Sequence, residues 1–285
     1  MGRFALAYAL LLACALTACG NPRTDGAGGS SSDAGENTAP APVPRPAVTL
    51  RPVSKAGDRF RTTRTLRVEE LTESERYLTE SEEVTLTEVL RADDAGRLMA
   101  VRRCWESSVT RLTNGFGNPE VARGDLDGCM LELTQRANGV EAKLISGDAN
   151  IRGANFLVEG FDTGLLPLDP VRKGDYWQLE GSRLGGLNRF IEAMQFQIDK
   201  NRLTCQLMEV TAATATISLE WRISGELGGL AAVLEFSGEL VFDRKAGMIS
   251  EFSLNGGRQA DSGPKQQIEI TIRRRAVDGW LDLER

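Results

Sequence analysis

The sequence predicts a mainly β protein: a curved antiparallel sheet or open half-barrel from two related halves, with one short helix near residues 186–196. Three observations lead there. Apolar and polar residues alternate along much of the chain with many branched side chains, the period-two pattern of half-buried strands. A Gly-Asp-x-aromatic turn occurs twice, at Gly57-Asp58-Arg59-Phe60 and at Gly174-Asp175-Tyr176-Trp177. Helical spacing shows in one stretch, Leu187, Phe190, Ile191, Met194 and Ile198, which is what an amphipathic helix needs.

In chain order, Val84 to Leu90 alternates strictly, Asp93-Asp94-Ala95-Gly96 is a turn, and Leu98 to Arg103 alternates again, so these residues read as a hairpin. Leu98 to Leu112 and Cys129 to Thr134 read as a second hairpin around Asn114 to Asn118. Thr214 to Ile223 and Gly238 to Phe242 are strands, and Asp243 to Gly247 turns the chain into Met248 to Leu254. Gly256 to Pro264 reads as a polar loop, and Gln267 to Arg275 is a last strand with Ile268, Ile270 and Ile272 on one face. Each Gly-Asp turn is followed, after an excursion, by a hairpin. This implies an internal duplication, about 48–165 and 166–280 of a β-rich domain covering 48–285.

The first residues have another character. Arg3 is a short basic region, and Phe4 to Leu16 is almost wholly apolar, which suits a secretion signal and is too short for a spanning helix. Leu16-Thr17-Ala18-Cys19 then resembles the lipobox of bacterial lipoproteins. The resemblance implies cleavage after residue 18, acyl chains on Cys19, and a membrane anchor, since two or more chains hold stably. Gly20 in place of Asp implies, by the sorting rule of such lipoproteins, the outer membrane of a two-membrane cell, on its periplasmic or surface side. Residues 20–47 are rich in Gly, Ser, Ala and Pro without apolar periodicity, a tether with a span of about 30 Å.

Composition excludes several function classes. Hydrophobic residues at 41% and charged residues at 26% suit a globular domain. The net charge is −6, and losing Arg3 with the signal makes it −7, so the footprint of a nucleic-acid binder is missing. The chain has no histidine. That removes Ser-His-Asp and Cys-His catalysis and imidazole metal sites, and no cofactor or metal is expected. Asp125-Leu126-Asp127-Gly128 lacks the further ligands of a calcium loop and reads as a turn.

Pro167-Leu168-Asp169-Pro170-Val171-Arg172-Lys173-Gly174-Asp175-Tyr176-Trp177 resembles the P-x-x-x-V-x-x-G-D-x-W element of some uncharacterised secreted bacterial proteins. Gly238 to Ile249 resembles their G-x-x-x-F-D-x-x-x-G-x-I hairpin. Their layout is similar to lipoprotein carriers of the Lol type, which implies an open half-barrel able to hold an acyl chain.

The second hairpin places Cys104 near Cys129, within reach of a disulfide that would close about 25 residues and add about 3 kcal/mol; Cys205 would then be a buried free thiol. Trp177, Tyr176 and Trp221 are candidates to face a ligand, and a core role explains them equally. The acidic run Glu69, Glu70, Glu73, Glu75, Glu80, Glu82 and Glu83 reads as a solvated face or hairpin tip. Arg273-Arg274-Arg275 reads as charge protecting an edge strand. The expected function is a non-catalytic, lipid-anchored envelope protein binding an apolar small molecule or a protein partner on its sheet. The alternatives are a structural or interaction protein with no ligand pocket and, less favoured, a carboxylate-based hydrolase.

Overall fold

A computed structural model of the chain describes residues 46–72, 75–115, 117–152, 156–158, 164–192, 196–227, 229–258 and 265–278. Cys19 and all but the last two residues of the tether lie outside them.

The alternating segments form twelve antiparallel strands. In the first half these are β1 Arg59–Leu71, β2 Arg76–Ala92, β3 Leu98–Asn114, β4 Glu120–Arg123, β5 Met130–Arg136 and β6 Gly139–Ser146. In the second they are β7 Tyr176–Glu180, β8 Phe196–Val210, β9 Thr214–Leu227, β10 Leu230–Asp243, β11 Met248–Arg258 and β12 Lys265–Ala276. All belong to one open sheet, ordered β6-β5-β3-β2-β1-β12-β11-β10-β9-β8-β7, with β4 beside β3. The mainly β expectation holds, and β1 paired with β12 joins the two halves.

One helix, α1, covers Gly185–Glu192 after a 3-10 turn at Gly181–Leu184. It is shorter than the sequence pattern implied. Ile198, the last residue of that spacing, belongs to β8 and packs against the same apolar cluster as the helix, so it mimicked another turn of it. Met194 lies outside the described residues.

α1 also measures the curl of the sheet. Asn188 on α1 accepts a 2.6 Å hydrogen bond from Asn201 of β8, while the guanidinium of Arg64 on β1 lies 4.1 Å from the Phe190 ring. β8 and β1 are five strand spacings apart, about 24 Å in a flat sheet, and an eight-residue helix is about 12 Å long. The sheet therefore bends around α1, which sits against its concave face.

The two Gly-Asp turns are built alike. Gly57 and Gly174 have φ of 91° and 94°, a left-handed conformation that favours glycine. Asp58 accepts the Lys55 N–H at 2.7 Å, and Asp175 accepts the Arg172 N–H at 2.8 Å. Gly57 N–H donates to the Val89 carbonyl, and Gly174 N–H donates to the Leu207 carbonyl. Both acceptor strands shift register next, at Val89/Arg91 and at Leu207/Glu209.

Three local readings change. Gly256 to Arg258 continue β11 rather than opening a loop, because Gly256 pairs with Phe236 and lets the two backbones approach closely. Cys104 pairs with Met130 rather than Cys129, because a bulge lets Trp105 bond to both Gly128 and Cys129. β12 lies at the centre of the sheet, so its arginines protect no edge. The path ends at the edge strands β6 and β7, and β4, paired only with β3 among the described strands, is a further edge.

Candidate functional site

Strand parity divides the concave face into three zones. On β8–β12 it is apolar: Leu203, Cys205, Ile217, Trp221, Phe236 and Ile270 are all buried there. α1 fills this half with Leu187, Phe190 and Ile191, and Leu165 and Leu166 pack beside it. At the far end, a smaller cluster of Val101, Trp105, Leu131 and Leu133 is covered by Val158 and Phe156. Trp105 and Phe156 meet edge to face, 6.4 Å apart.

Between the two clusters the inward residues of β1–β3 are mostly polar. The register lines up Arg64, Glu83 and Ser108 in one row and Leu66, Ser81 and Thr110 in the next. With Phe190 of α1 these residues line an open groove of about 160 Å3. Arg64 pairs with Glu83 at 3.7 Å, both about a third exposed, so the pair adds less than about 1 kcal/mol to stability and leaves the groove carrying both signs of charge. Ser81 and Thr110 share a 3.0 Å hydrogen bond. Deeper in, Arg103 donates to the carbonyls of Leu157 and Val158 at 3.1 and 3.2 Å and ties the covering loop to β3.

The strand side of the groove was legible from parity. Phe60, Leu66 and Val68 fix which residues of β1 face inward, and Arg64 has their parity. A charge on the apolar side of a strand was the signal, and sequence reasoning passed over it.

The aromatic candidates take three different places. Trp221 is fully buried in the apolar half, tilted against Phe236 at 5.4 Å. Its indole N–H has no acceptor among the described residues, a burial that costs about 1–3 kcal/mol. Trp177 is half-buried and donates to the Leu165 carbonyl at 3.0 Å, which fastens the filling segment to β7. Tyr176 is 72% exposed. The structure brings none of the three to the groove.

Among the described residues, Cys104, Cys129 and Cys205 are buried free thiols. Burial pushes the Cys205 thiol up to about 12, with Arg183 pulling weakly the other way. Burial raises Cys104 too, helped by the neighbouring Glu106 and Cys129. Asp127 serves its turn as expected, accepting the Ser108 N–H at 2.8 Å and the Arg123 guanidinium at 2.9 Å. Of the acidic run, Glu69, Glu80 and Glu83 pair with arginines, Glu69 bridging Arg67 and Arg76, and Glu73 lies outside the described residues. Among the described residues, no helix is long and apolar enough to cross a membrane.

No protein-family description and no curated protein matches this chain.

Proposed function

We propose that this chain is a lipid-anchored bacterial envelope protein that acts by binding, without catalysis, and that its partner is a segment of another envelope protein held along the concave groove of β1–β3. The observation that carries this reading is the division of the concave face. Its apolar half is already filled by α1, Leu165 and Leu166, while the open part mixes Arg64, Glu83 and the Ser81, Ser108 and Thr110 hydroxyls with Leu66, Val109 and Phe190. At about 160 Å3 the groove is smaller than the 300–1,000 Å3 typical of sites that enclose a small molecule. A row of serine and threonine hydroxyls with one ion pair and one aromatic edge suits a polypeptide better than an acyl chain. The lipobox-like Leu16-Thr17-Ala18-Cys19 supports the anchor.

A second reading, an apolar small molecule in place of α1, draws support from the Trp221 N–H, which has no acceptor among the described residues, and from the shortness of α1 against the apolar sheet it covers.

The test is a photo-crosslinking residue at Thr110 in the native host, with mass spectrometry of the adducts. A polypeptide adduct absent from an Arg64→Glu variant supports the first reading. Acyl material carried on the purified domain supports the second. An intact, folded protein giving neither refutes both. Intact mass of the membrane-derived chain beside Cys19→Ser tests the anchor separately.

A further inference from the structure

The rim where the tether joins the domain has a character of its own. Residues 48–53 run across that rim and are fixed there twice: Val48 and Val171 exchange backbone hydrogen bonds, and the Val53 N–H donates to the Gly247 carbonyl at 2.9 Å. This brings the crossing segment against the β10–β11 turn and encloses a groove of about 460 Å3. Its charged lining is Arg51, Arg244 and Lys245, and among the described residues no carboxylate lines it.

The groove is held in shape by backbone. Arg244 N–H donates to the Ala213 carbonyl, and its guanidinium donates to the Thr211 carbonyl. The adjacent Asp243 turns its carboxylate onto the N–H groups of Lys245 and Ala246, at 2.9 and 2.8 Å. A neighbouring cavity on the same rim adds Lys55 and Arg59, together with Asp58 and Asp278.

Two large apolar side chains stand in solvent at this place. Val53 lines the groove and is 53% exposed, and Leu168 is 72% exposed with its carbonyl bonded to Arg51. Exposed apolar residues beside unopposed cations, at the point where the chain leaves for its anchor, make a surface suited to a headgroup layer: cations to phosphates, Val53 and Leu168 to the acyl boundary.

We infer that this rim docks on the phosphate headgroups of an anionic phospholipid membrane, as a second contact beside the lipid anchor. The inference rests on the reading of residues 1–47 as signal, anchor and tether. Acids also stand on this rim: Asp58 and Asp243 cap turns, Asp93 pairs with Arg97 in the turn whose Gly96 meets Pro52 and Val53, and Asp278 lines the neighbouring cavity, so the attraction belongs to the cations of the groove alone. The acidic β1–β2 tip lies a whole strand away, about 40 Å for the thirteen residues of β1, several Debye lengths at physiological salt. Docking turns a loosely tethered domain into one with a fixed face toward the bilayer.

The test uses the full mature chain with Cys19→Ser, so that no acyl chain contributes, and vesicles of phosphatidylglycerol and phosphatidylethanolamine beside vesicles of phosphatidylcholine. Binding to the anionic vesicles at low salt, fading as salt rises, is the expected result. A cation at such a surface is worth about fivefold. Arg51→Gln/Arg244→Gln/Lys245→Gln should then weaken binding about a hundredfold, and Lys245→Glu alone, at an exposed turn position, about twenty-five-fold. Leu168→Ser should cost about tenfold in either background. Equal binding to both vesicle types, or a folded triple variant that binds like the parent, overturns the inference. A membrane-derived chain found without lipid on Cys19 would overturn the anchor instead and leave the vesicle result standing.

Discussion

Gly238→Ala is a sharp test of how the sheet curls. Gly238 lies inward on β10, opposite Leu219 of β9 and Leu254 of β11. A Cβ built there would sit 1.9 Å from the Ser253 carbonyl oxygen and 2.8 Å from its carbon. Nonbonded heavy atoms prefer about 3.5 Å or more, so β11 must retreat by well over 1 Å beside the buried Phe252 and Leu254. Overpacking of this kind costs about 1–3 kcal/mol, and at least one ladder hydrogen bond at about 1 kcal/mol goes with it. A loss of about 3 kcal/mol follows, or a fall in Tm of about 6–12 °C for a domain of this size. Urea unfolding followed by tryptophan fluorescence measures it. Gly185→Ala is the control: nothing lies within 4 Å of a Cβ there, and an alanine at the start of α1 should be neutral or slightly stabilising. A Gly238→Ala protein within 0.5 kcal/mol of the parent would refute the account of close strand approach.

Four further outcomes follow from the structure. Cys205 keeps its proton in the folded state to about pH 12 but loses it near pH 9 when unfolded, so its contribution is complete below pH 9 and fades as pH rises toward 12, about 1.4 kcal/mol per unit; Cys205→Ala should flatten that part of the stability curve, and an unchanged slope refutes the assignment. In the mature chain with Cys19→Ser, Cys104, Cys129 and Cys205 should resist a thiol reagent in the folded protein and react as three equivalents after unfolding, whereas a single equivalent would mean that Cys104 and Cys129 pair. Asp58→Ala and Asp175→Ala should each cost about 1–2 kcal/mol and agree within about 0.5 kcal/mol, since both carboxylates cap the same turn; a large inequality in denaturant midpoints would break the equivalence. Arg64→Met should change stability by less than about 1 kcal/mol, given the exposure of the Arg64–Glu83 pair, yet abolish the Thr110 crosslink; a large loss of stability would make Arg64 a core residue instead.

The strands were legible because their side chains obey the period of two, and the resemblance motifs can be read physically position by position. In the later hairpin, Gly238 allows close approach, Phe242 and Ile249 enter the core, Asp243 caps the turn, and Gly247 adopts φ of 63° against Val53. In the earlier element, Val171 bridges to Val48, Gly174 and Asp175 form the turn, and Trp177 ties down Leu165. Strand neighbours were not legible in the same way. Nothing local to Arg273-Arg274-Arg275 says that β12 pairs with β1, whose partner residues lie some two hundred positions away. The groove needed both facts at once: the inward parity of Arg64, and a sheet curled enough to bring Phe190 to it.

That central pairing also accounts for where the charge lies. β1 and β12 place Arg61 directly opposite Arg275, and Thr62 opposite Arg274. Like charges facing across strands are unfavourable, so the join needs neighbours to offset them. It has them: Glu106 of β3 meets Arg61 at 2.7 Å, Glu88 of β2 joins Arg59 and Arg102 at 2.8 and 3.3 Å, and Arg274 lies 4.8 Å over the Phe60 ring. Most of the compensating carboxylates come from β2 and β3, in the first half. The pairing of β1 with β12 is therefore supported by the strand on the far side of β1, and the two halves are joined electrostatically as well as by backbone. This accounts for the density of paired charge on the outer face of the first half, whereas the Arg64–Glu83 pair lies on its inner face. It also leaves that inner strip, between two filled apolar clusters, as the part of the concave face still open to a partner.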